Sequence, residues 1–110
     1  MLQSGDVVII DFPGAVQTKR RPALVVSTDV YHTTTPDTIL AVLTTNTAAA
    51  TLPTDYVLQD WAAAGLARPS AFRAYLRTEL QTDVVRVIGK LTDADWLEVQ
   101  ARVRIALAVV

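Results

Sequence analysis

No cysteine occurs among the 110 residues, which excludes a disulfide, a thiolate metal site and a cysteine nucleophile. A single histidine, His32, likewise excludes a two-histidine acid–base pair or an all-histidine metal site within one chain. Aromatic residues make up only 6%, and no apolar run reaches the roughly 18–20 residues that a membrane span requires. The chain does not open on a basic flank followed by an apolar run, so a soluble cytoplasmic protein is expected. Excess charge is missing too. Ten cations against eleven acids leave a net −1, which argues against coating nucleic acid by bulk electrostatics. Three cations cluster at Lys19, Arg20 and Arg21 and the other seven lie from Arg68 onward, so a local basic surface survives.

What is present is apolar. A hydrophobic content of 51% with 19% charged residues suits one compact domain over residues 1–110. Val7 to Ile10 form a β-branched run, closed by Asp11-Phe12-Pro13-Gly14, that reads as a buried strand and a turn. Residues 13–20 read as a polar loop, and Pro22 to Ser27 as a second strand that is apolar on both parities. Proline at a strand's first position needs no ladder donor and holds the preceding residue, Arg21, extended. A polar connection with one helical turn follows, then a third strand over Thr38 to Thr45. Tyr56 to Leu58 form a short strand, and Asp60 caps a helical turn ending at Gly65.

From Ser70 to Leu80 the chain alternates, with Phe72, Ala74, Leu76 and Leu80 pointing inward and Arg73, Tyr75, Arg77 and Glu79 outward. Val84 to Ile88 is a further strand. Thr92-Asp93-Ala94-Asp95 resembles a capping box, and Trp96, Val99, Val103, Leu107 and Val110 form one stripe of a terminal helix. Short strands without regular strand–helix alternation predict a mainly β fold: a small antiparallel barrel-like sheet with a C-terminal helix packed outside.

Two groups of residues suit chemistry at phosphorus. Arginine offers a forked, permanently charged donor for phosphate, and one preorganised donor is worth about 2.7–4 kcal/mol in a transition state. Arg21 at one strand start and Thr44 or Thr45 at another strand's end meet if those strands are antiparallel neighbours; the plainer alternative is a solvated cationic loop beside two edge threonines. Arg73, Tyr75 and Arg77 combine cations with an aromatic as single-strand binders do, or are an ordinary wet strand face. His32 offers a base contact or a proton acceptor, or is an incidental loop residue. Trp61 and Trp96 read as packing residues, and Asp6 and Asp11 lack the neighbours that a metal site needs.

Gly5 to Phe12, Lys19 to Ser27 and Ile39 to Asn46, followed by Leu52-Pro53, Gly65-Leu66, Pro69-Ser70, Leu76-Arg77-Thr78 and Val87 to Leu91, together resemble the MazF/PemK toxins of bacterial type II toxin–antitoxin systems. The resemblance implies an SH3-like, CcdB/MazF-like barrel. It implies a homodimeric endoribonuclease that cuts single-stranded RNA at short sequences without a metal or other cofactor and is silenced by a cognate antitoxin. It places the catalytic arginine at Arg21 and the strand-end hydroxyl at Thr44 or Thr45. Phe12, Asn46, Leu52, Pro53 and Ser70 match groove-lining positions, and Lys19 and Arg20 are expected to steer RNA from their loop. Tyr75 stands where many members carry Gln. The competing expectation is a non-enzymatic, CcdB-like inhibitor that binds DNA gyrase, for which the apolar end Ile105 to Val110 offers a surface.

Overall fold

Eight strands and α-helices follow one another in the computed structural model, which describes residues 1–12 and 17–108. They are β1 (Asp6–Phe12), β2 (Lys19–Val25), α1 (Asp29–Thr34), β3 (Asp37–Thr44), β4 (Tyr56–Val57), β5 (Ala71–Leu80), β6 (Val84–Lys90) and α2 (Asp93–Ala106). The strands form one antiparallel sheet in the order β4-β5-β3-β2-β1-β6. No helix among the described residues is long and apolar enough to cross a membrane.

Directly opposed residues of an antiparallel pair share a face, so the register sorts the side chains. Val7, Leu24, Ala41 and Leu76 make one row across four strands. With Leu43 and Phe72 they pack against Trp96, Val99 and Val103 of α2. Val8, Ala23 and Val42 make the next row, on the opposite face, where Ile10, Phe12, Val25 and Leu40 complete a second cluster. Burial on both faces explains why β1 to β3 are apolar on both parities.

The Arg77 guanidinium lies 4.9 Å from the centre of the Phe12 ring. Three ladders separate their strands, about 14 Å in a flat sheet. The sheet is therefore strongly coiled, so that Phe12 and Arg77 meet on the second face, while α2 packs on the first. Among the described residues the ladder does not close, and β4 and β6 remain its edges. The expected barrel is thus an open, strongly curled sheet. The chain after β4 runs onto the α2 face, where Leu58, Ala64 and Leu66 join the α2 cluster. There the Ala64–Gly65 backbone rests on β6. A Cβ at Gly65 would strike the Ile88 carbonyl oxygen, and one at Gly89 would strike that of Ala64.

Several sequence expectations are corrected. β2 begins at Lys19 rather than Pro22, and Pro22 sits mid-strand opposite Ile9. It is tolerated there because the registered pairing of β2 with β3 starts only at Ala23, leaving Pro22 on an edge. Thr45 falls outside β3. Leu80, expected inward, is 46% exposed, and Leu107 lies beyond α2 at 42%. The segment after Asp60 makes the expected single helical turn, with the Ala64 N–H donating to the Asp60 carbonyl at 3.2 Å, and ends at Gly65 with φ of +88°, but the Asp60 carboxylate accepts from Thr92 Oγ1 instead of capping that turn. The Pro13-Gly14 turn and the Val110 end of the stripe lie outside the described residues.

Candidate functional site

The register carries the second face out to the strand ends. Arg21 opposes Ile10 and Lys19 opposes Phe12, so both cations share the face of the second cluster. Arg21 and Thr44 each lie two residues beyond the Ala23–Val42 pair, at the same end of neighbouring antiparallel strands. On β5 the parity of Arg77, opposite Leu40, puts Arg73 and Tyr75 on this face as well. Lys19, Arg21, Tyr75 and Arg77 are exposed, and Arg73 is half-buried.

Arg20 goes the other way. It opposes Asp11 and makes a bidentate pair with it, Nε to Oδ1 at 2.9 Å and Nη2 to Oδ2 at 3.2 Å. These hydrogen bonds hold the Asp11 carboxyl below its ordinary range and raise the Arg20 guanidinium further. The three cations expected on one loop are thus split by strand alternation.

Around this face each side chain has a definite employment. Thr44 Oγ1 accepts from the Asn46 backbone N–H at 3.1 Å, which leaves its own proton free to donate. Thr45 and Asn46 are exposed just past the strand, as are Leu52 and Pro53. Arg77 pairs with Glu79 at 3.2 Å while covering Phe12, which is itself buried. Arg73 Nε donates to Asp55 Oδ1 at 3.2 Å, and its guanidinium carbon lies 5.1 Å from the Tyr75 ring centre. Four cations thus face two carboxylates that are already paired. Ser70 is buried, and its hydroxyl donates to the Arg68 carbonyl at 2.9 Å, so it supports the turn and is not presented to solvent.

His32 is buried at the far end of β3 from Thr44. Its Nδ1 lies 2.9 Å from the Leu2 carbonyl, which assigns the proton to Nδ1. Nε2 then accepts from Ser27 Oγ at 2.6 Å, with Thr38 Oγ1 close by at 3.1 Å. The histidine staples the first residues to β3. Among the described residues no group of His, Asp and Glu is gathered as a metal site would require.

Asp55 is the site residue that sequence reasoning missed. The one signal for it was local: Leu52-Pro53-Thr54-Asp55 has the makings of a turn closed by an Asp side chain. That turn is present, with Leu52 N–H donating to Asp55 Oδ2 at 3.0 Å.

A coiled antiparallel sheet with one packed helix, and four cations on the face away from that helix, defines a small β-protein. Residues 3–107 match the family model described as PemK-like, MazF-like toxin of type II toxin–antitoxin system, and the chain belongs to that family. No curated protein matches it in sequence. Among solved structures it is similar to an endoribonuclease in complex with its cognate antitoxin from a mycobacterial species, at 21% identity and a TM-score of 0.80, covering 100% of this chain and 98% of that one. It is also similar to the Mycobacterium tuberculosis toxin MazF-mt6, at 22% identity and a TM-score of 0.75, covering 92% and 94%. A third match is MazE-MazF from Deinococcus radiodurans, at 21% identity and a TM-score of 0.76, covering 99% and 97%. At these identities the likeness shows the fold. Nothing found favours the gyrase-inhibitor alternative.

Proposed function

We propose that this chain is a sequence-specific endoribonuclease toxin that cleaves single-stranded RNA by attack of a 2′-hydroxyl on the adjacent phosphorus. The observation that carries the reading is the shared position of Arg21 and Thr44, on one face and at one end of β2 and β3. Membership of a toxin family supports it. In the reaction the O2′–P bond forms, the P–O5′ bond breaks, and the products are a 2′,3′-cyclic phosphate and a 5′-hydroxyl. Arg21 stabilises the charge that grows on the non-bridging oxygens. A guanidinium stays protonated, so its part is electrostatic and another group moves the protons. Thr44 donates its hydroxyl proton to the same phosphate and orients it. Lys19, Arg73 and Arg77 attract the flanking backbone. The scheme uses no metal.

The protein acts in the cytoplasm as a homodimer and is silenced by a cognate antitoxin; the relatives solved with antitoxin support the last point. The test is primer extension on long RNA treated with purified protein in EDTA. Cleavage at a recurring short sequence is expected, with a cyclic phosphate end, and Arg21→Ala should lower kcat by about 10²–10³. Intact RNA, or an Arg21→Ala variant as fast as the parent, would refute the reading.

A further inference from the structure

We infer that Asp55 is a positioning residue that presets a one-nucleotide subsite made by Arg73 and Tyr75, an inference that rests on the RNA-cleaving function above. Its carboxylate is nearly sealed from water, the side chain being 2% exposed. A buried carboxylate has to be paired. Asp55 meets that demand with two donors that face different ways: Oδ2 takes the Leu52 N–H and Oδ1 takes Arg73 Nε. The Tyr56–Phe72 pairing of β4 with β5 brings Asp55 beside Arg73, one residue further along each strand.

Because Nε is committed to Asp55, the guanidinium is tethered along its Nε edge and its freedom to turn is reduced. Among the described residues, Asp55 is the hydrogen-bond partner that Arg73 has. The two Nη groups therefore present a fork of the shape that holds a phosphate. Tyr75 follows two residues later on the same face, with 61% of its surface exposed and the Arg73 guanidinium against its ring. The guanidinium carbon and the ring centre are 5.1 Å apart, within the reach of one nucleotide from phosphate to base. The base stacks on Tyr75 while the Arg73 fork holds its phosphate. The same carboxylate also fixes the exposed Leu52-Pro53 turn at the rim. Loop, charge and ring are thus held as one unit by one buried group.

The test uses a fluorescein-labelled 12-nucleotide 2′-O-methyl RNA of mixed sequence. It lacks the attacking hydroxyl and cannot be cut, so anisotropy reports binding alone, beside cleavage kinetics on a matching RNA. Tyr75→Ala should weaken probe binding about tenfold or more, while Tyr75→Phe, which keeps the ring, holds most of the affinity. Asp55→Asn and Arg73→Gln should each raise KM more than they lower kcat. The Asp55→Asn, Tyr75→Ala double variant should lose no more than the stronger single, because both act on one unit.

If Asp55 merely supports the fold, Asp55→Asn lowers the melting temperature while Tyr75→Ala keeps its full effect in that background, and the inference is overturned. Should Asp55→Asn fail to fold, Arg73→Gln cuts the same link from its more exposed side and takes its place in the cycle. RNA cleavage of ordinary rate with probe binding indifferent to Tyr75 sinks the subsite and leaves the proposed function standing. Tyr75-dependent probe binding without any RNA cleavage does the reverse.

Discussion

Arg21 takes its direction from Ile10. The sequence drew attention to it through the proline that follows, but it is strand pairing that fixes the side chain, inside β2 and not before it. The same pairing sends Arg20 to Asp11 on the other face, which no count of cations reveals. It also separates the two threonines. Thr44 ends β3 on the face of Arg21, and Thr45 lies beyond the strand. Thr44→Val is therefore expected to lower kcat by about 10²-fold, the cost of losing one preorganised donor, and Thr45→Val to cost far less. Single-turnover cleavage of a short RNA measures both, and the opposite ranking would move the hydroxyl to Thr45. Asp55, Ser70 and His32 were not legible in their roles because each is defined by what it touches. His32 sat in a polar connection and is buried against Leu2, Ser27 and Thr38.

Between elements, the main tie of α2 to the sheet side is a carboxylate that looked like part of a helix cap. Thr92 Oγ1 does accept from the Asp95 N–H. The Asp95 carboxylate itself, however, accepts from the Tyr56 hydroxyl at 2.6 Å and from the backbone N–H groups of Gln59 and Asp60 at 3.1 and 2.9 Å. Those partners are 35 to 39 residues away, so the cap was readable from local spacing and the tie was not. Burial, reinforced by the hydrogen bond to Asp95, pushes the Tyr56 phenol well above its ordinary value of 10.0. The folded protein therefore keeps a proton that the unfolded chain releases near that pH. The stabilisation is complete below pH 10 and falls away as pH rises above it. Urea unfolding between neutral and strongly alkaline pH should show that decline. Tyr56→Phe should be less stable by about 1–3 kcal/mol at neutral pH, from the lost hydrogen bond to a buried acceptor, and should show a shallower alkaline decline. An unchanged alkaline slope would count against this account.

For the molecule as a whole, element order was legible, because β-branched runs, the alternation of β5 and the helix stripe are all local patterns. Net charge was a poor guide. A total of −1 conceals a rim with Lys19, Arg21, Arg73 and Arg77 on one side and the pair Arg20–Asp11 on the other. The seating of the chain after β4 on β6 was not legible at all, since it depends on backbone meeting backbone between residues 64–65 and 88–89. That contact works like the clasp of a bracelet. The chain leaving the β4 edge is laid flush on β6, and it can lie flush only because neither glycine has a side chain. Curvature is a property of the entire band, so the clasp on one face helps to hold Phe12 under Arg77 on the other. A methyl group at Gly89 lifts the clasp by its own width and lets the band relax. Gly89→Ala should therefore cost about 1–3 kcal/mol in stability, as overpacking does. It should also weaken binding of the uncleavable oligonucleotide, although residue 89 faces away from it. A loss of stability with affinity intact would show that the cationic face keeps its shape without help from the far side.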